Sequence, residues 1–101
     1  MSEEKTVIDA LKEKVRVYKQ TVDELEKAQK TAEKYQAYRK SIRELAESSL
    51  FQKDFESFYA ARRLFIDTDT LAVIASTRAD QIKEKLAAQI LEIINTIALL
   101  T

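Results

Sequence analysis

Neither glycine nor proline occurs anywhere in the 101 residues. A sheet of several strands needs tight turns, and tight turns need residues that accept positive φ or fix φ; here only Asn95, the aspartates and the serines can serve. The chain is therefore expected to be all-α. With 46% hydrophobic and 34% charged residues it suits helices that carry one apolar and one solvated face, and its length suits a single domain over residues 1–101.

Between about residues 3 and 47, Ile8, Leu11, Val15, Tyr18, Val22 and Leu25 recur in alternating steps of three and four, the heptad stripe of a coiled-coil helix. The stripe runs on through Ala28, Ala32, Tyr35, Tyr38, Ile42 and Leu45. Two successive three-residue steps at Val22, Leu25 and Ala28 predict a local stammer. The pattern stops at Glu47, Ser48 and Ser49, where Ser49 with Gln52 fits a capping box and starts a second helix over about 50–66. Phe51, Phe55, Phe58 and Phe65 then share one helical face, which reads as core or protein interface rather than as a platform for stacked bases.

Asp67, Thr68, Asp69 and Thr70 have short polar side chains that bond their own backbone, so a kink or reversal is expected there, with one aspartate capping a third helix over about 70–100. A kink gives one long helical hairpin with a bent second arm; a reversal gives a three-helix bundle. In the last helix Leu71, Ile74, Ala75, Ala79, Ile82, Leu86, Ile90, Ile93, Ile97 and Leu100 form a main stripe, widened by Ile94 and others until little polar face remains. A helix apolar nearly all round must be buried on several sides. The narrower stripe of the first helix cannot cover it, so oligomerisation is expected to complete the fold.

Chemistry is constrained by absence. Without histidine or cysteine the chain has no Ser-His-Asp or Cys-His nucleophile and no ordinary zinc, haem or iron–sulfur site, and without glycine it lacks the usual phosphate-binding loops. No catalytic residue, cofactor or metal ligand is assigned. Seventeen basic and seventeen acidic residues cancel, so no global field steers the chain to nucleic acid or an anionic membrane. No apolar run reaches membrane-spanning length, and residues 2–5 lack the features of a secretory leader, which together point to the cytoplasm.

The expectation is thus a non-enzymatic helical assembly or adaptor protein that pairs with itself, as a homodimer or higher oligomer, or with another helical protein. Its expected interface is Leu71, Ile74, Ile82, Leu86, Ile90, Ile93, Ile94, Ile97 and Leu100. The alternative is a dimeric nucleic-acid-associated regulator that sets Arg39, Lys40, Arg43, Arg62 and Arg63 against phosphates or an acidic partner. In length and layout the chain looks like small secreted helical hairpins with a Trp-x-Gly turn, but it has neither residue, and nothing of that family carries over.

Overall fold

The computed structural model describes residues 2–100, and nearly all of them are helical. Two helices account for the chain: α1, Ser2–Phe51, and α2, Phe55–Ala98. They fall into two compact units, one of Met1–Lys27 with Ala79–Thr101, the other of Ala28–Arg78.

The second unit contains the reversal between the helices, and it lies further along the chain than the serines suggest. Ser49 is a buried helical residue rather than a cap, and α1 continues to Phe51. Lys53 then takes the left-handed conformation, with φ of 60°. Its N–H donates to the Leu50 carbonyl at 3.1 Å, and the Asp54 N–H donates back to the Ser49 carbonyl at 2.9 Å. This pair of bonds is a Schellman motif, which satisfies the last carbonyls of α1 without a glycine. Asp54 starts α2: its Oδ1 accepts from the Ser57 N–H at 3.2 Å, the bond that an N-cap side chain makes to the third helical residue. The local signal was a C-terminal motif followed by an aspartate cap, in place of the Ser49–Gln52 capping box.

The break expected at residues 67–70 is absent, because α2 passes through them unbroken. That removes the three-helix alternative and the separate helices over 50–66 and 70–100. Each short polar side chain in the segment finds an arrangement compatible with the helix. Asp67 accepts from Arg63 Nε one turn earlier at 3.3 Å, Asp69 pairs with Arg39 of α1 at 2.5 Å, and Thr70 Oγ1 donates to the Ile66 carbonyl at 3.1 Å. Thr68 is buried. Tertiary placement outweighs the weak helix propensity of four residues.

The seam positions are read from burial. On α1 the seam of the first unit runs through Val7, Leu11, Lys14, Tyr18, Thr21 and Leu25, with Val15, Val17 and Val22 half-buried beside it; that of the second runs through Ala28, Ala32, Tyr35, Arg39, Ile42, Ala46 and Ser49. Steps of four and three alternate without interruption, so the expected stammer is absent. On α2 the same alternation holds in the second unit through Phe58, Ala61, Phe65, Thr68, Ala72 and Ala75, and in the first through Ala79, Ile82, Leu86, Gln89, Ile93 and Thr96. All but one of the most deeply buried of these are small: Thr21 at 1% exposure, with Ala28, Ala32, Ala61, Ala72, Ala75, Ala79, Ser49, Thr68 and Thr96, and Ile82 the one large side chain among them. Small seam residues bury little area each, at about 25 cal/mol per Å².

Candidate functional site

Several large apolar side chains lie outside the seam. In the first unit the residues that follow the inward polar positions are aliphatic. Lys14 and Thr21 are succeeded by Val15 and Val22, and Gln89 and Thr96 by Ile90 and Ile97. The inward positions are held by local polar bonds: Thr21 Oγ1 donates to the Val17 carbonyl at 3.1 Å, Thr96 Oγ1 to the Glu92 carbonyl at 2.8 Å, and Lys14 Nζ to Thr96 Oγ1 at 3.0 Å. Gln89 Oε1 is buried there without a hydrogen-bond partner. One residue along a helix is a turn of about 100°, and in antiparallel neighbours the residues that follow the seam row on both helices come to the same side. Ile8, Val15 and Val22 of α1 thus share a flank with Ile90, Ile94 and Ile97 of α2. Ile94 is 53% exposed, and Ile8, Ile90 and Ile97 lie between 38% and 45%.

The expected interface residues divide accordingly. Ile82, Leu86 and Ile93 are turned into the intramolecular seam. Ile90, Ile94, Ile97 and Leu100 remain exposed in the first unit, and Leu71 and Ile74 remain exposed in the second. Ile8, Val15 and Val22 were read as seam residues because their spacing follows the heptad. Of these, Ile8 is exposed, while Val15 and Val22 are half-buried beside a seven-residue recurrence of small or polar residues at Lys14, Thr21 and Ala28, which Gln89 and Thr96 match on α2.

The second unit has its own exposed apolar residues. Phe51, the last residue of α1, is 89% exposed, and Leu50, Phe55 and Tyr59 surround the turn with it. Only Phe58 and Phe65 of the four phenylalanines are turned inward. A shallow cleft of about 200 Å³ lies among Arg43, Ala46, Glu47, Leu50, Phe58, Arg62 and Phe65.

The cations proposed for phosphate contact are largely engaged. Arg39 pairs with Asp69, Arg63 with Asp67, and the Arg43 guanidinium lies 5.4 Å from the centre of the Phe65 ring in a cation–π arrangement. Arg62 lines the same cleft as Glu47, and Lys40 is exposed. The hydrogen bond from Arg16 holds Glu13 below the usual carboxylate range, and bonds from the Ser57 side chain and backbone do the same for Asp54. Among the described residues no cluster of three or more acidic side chains is arranged to hold a metal ion, and no helix is long and apolar enough to cross a membrane. No protein-family model matches the chain, and neither a curated protein nor a solved structure shows significant similarity to it.

Proposed function

We propose that the chain is a non-enzymatic helical assembly or adaptor protein that acts through protein–protein contacts, self-association foremost. One observation carries this reading: alanine, threonine and serine fill all but one of the deepest seam positions, Ile82 being the other, while large aliphatic side chains lie at the surface of both units. Exposed apolar area beyond a few hundred Å² marks an interaction surface in a protein of this size. The uninterrupted steps of three and four support a coiled-coil pairing of α1 with α2, and helices of that type extend readily into larger bundles. The nucleic-acid alternative is less well supported, since Arg39 and Arg63 face carboxylates rather than open solvent.

Solution mass by light scattering over a range of concentrations, at low and high salt, tests the proposal. An oligomer that persists at high salt is the expected result, because apolar burial is not screened. A folded monomer throughout, with no helical partner captured, overturns it. Binding to nucleic acid that weakens steeply with salt favours the alternative, because counterion release scales with the number of phosphates contacted.

A further inference from the structure

We infer that the flank of the first unit formed by Ile8, Val15, Val22, Ile90, Ile94 and Ile97 is the surface on which two copies of this chain pair face to face. The inference rests on the self-association reading and specifies where it happens.

Both helices are rotated in the same sense about their seam. α2 turns Gln89 and Thr96 inward and exposes Ile90, Ile94 and Ile97 beside them, while on α1 Val15 and Val22 are half-buried next to Lys14 and Thr21 and Ile8 is exposed, so aliphatic side chains of both helices converge on one flank. A helix whose apolar set includes the row beside the seam faces two neighbours, the pattern of a bundle rather than of an isolated pair. α1 offers one neighbour from within the chain, α2, and among the described residues there is no third helix to serve as the other.

The occupant must match a surface two helices wide, aliphatic across both, with the same repeat along each. A second copy presents that surface by construction, and a two-fold axis makes one flank self-complementary. Area points the same way. A fully exposed aliphatic side chain carries roughly 100 Å² of apolar surface, so the six residues, with Ala87 and Leu91 beside them, leave roughly 350 Å² uncovered. Interfaces are about 60% apolar, which scales this to nearly 600 Å² per copy and more than about 1,000 Å² in total, where specific dimers begin. Equal numbers of acidic and basic residues leave no net charge to hold copies apart.

The test compares three full-length chains by light scattering, with helicity followed by circular dichroism. The parent is expected at twice 11.6 kDa. Ile90→Asp with Ile97→Asp should stay helical, since both side chains are exposed, and weaken dimerisation on the order of 100-fold by burying unpaired carboxylates. Leu64→Asp with Leu71→Asp, equally exposed but in the second unit, should leave the dimer intact. A parent that is monomeric at every concentration overturns self-association itself. A dimer that survives the flank changes, or is lost on the Leu64 and Leu71 changes, leaves self-association standing and overturns this flank. Should the flank variant unfold, a spin label decides, because the chain has no cysteine of its own. Stronger dipolar coupling between copies labelled at Ile94→Cys than at Leu71→Cys upholds the inference, and the reverse order overturns it.

Discussion

Lys53 turns the chain between α1 and α2 in a conformation that suits glycine, so replacing it with glycine should stabilise the protein. The residue sits at φ of 60°, where its Cβ crowds the backbone, and both hydrogen bonds of the Schellman motif run through main-chain atoms that the substitution keeps. A side chain in the left-handed region costs about 1–2 kcal/mol, while glycine returns about 0.4–1 kcal/mol of that through the greater freedom of the unfolded chain. The net gain is then about 0.5–1 kcal/mol, which for a domain of this size raises Tm by about 2–8 °C. Urea titration followed by circular dichroism measures it: the midpoint should rise while the slope stays constant, because the buried surface does not change. Parent and variants must be compared at one protein concentration, since association couples stability to mass action. Lys53→Ala is the control, keeping the Cβ and removing the charge. If the glycine variant is no more stable than the alanine variant, the left-handed strain assigned to Lys53 is refuted.

Other expectations are more local. Asp54→Ala should lower the urea midpoint by removing the cap on α2, read from the same titration. The folded carboxyl of Asp54 lies below its ordinary value of 3.8, so its contribution is fully present above that pH and disappears as pH falls through the lower folded value; the gap between parent and Asp54→Ala should close in acid. Gln89→Leu removes a buried Oε1 with no partner and should raise stability by about 1–3 kcal/mol, whereas a loss would show that the amide is satisfied in solution. Thr68→Leu should cost about 1–3 kcal/mol by overfilling a close seam, while Thr70→Leu, on the exposed side of the same turn, should stay within about 0.5 kcal/mol of the parent in thermal melts.

The helical class was legible from residue types alone, because no other architecture closes its turns without glycine or proline. The turn and the seam were harder, for physical reasons. Ser49 and Gln52 have the chemistry of a cap, but the reversal was set by backbone bonds to Leu50 and Ser49, which residue type does not advertise when the left-handed position holds a lysine in place of glycine. Asp67 and Asp69 are poor helix formers in isolation; what keeps them helical are arginines at positions 63 and 39, one of them far away in sequence. Hydrophobic periodicity located the stripe on α1 but misjudged its direction. It weighted Val22 above Thr21, whereas close approach of two backbones favours the smaller residue, and Thr21 is the more deeply buried of the two. The broad apolar character of residues 86–100 was visible, but its division between Ile93 facing inward and Ile94 facing out depended on the seam register.

The tight reversal at Lys53 also orders the events of folding. Arg39 and Asp69 are 30 residues apart, and Lys14 and Thr96 are 82 apart. Closing the longer loop from an open chain costs about 0.9 kcal/mol more than closing the shorter one, since loop entropy grows with the logarithm of length. Pairing that starts at the turn and advances by zippering avoids that difference, because each layer is formed next to one already made. The layer of Lys14 and Thr96 is then among the last to close and among the first to open. Native-state hydrogen exchange should therefore be slowest near Ala61 and fastest toward the chain ends in a free copy, with protection extending to residues 90–97 when two copies meet.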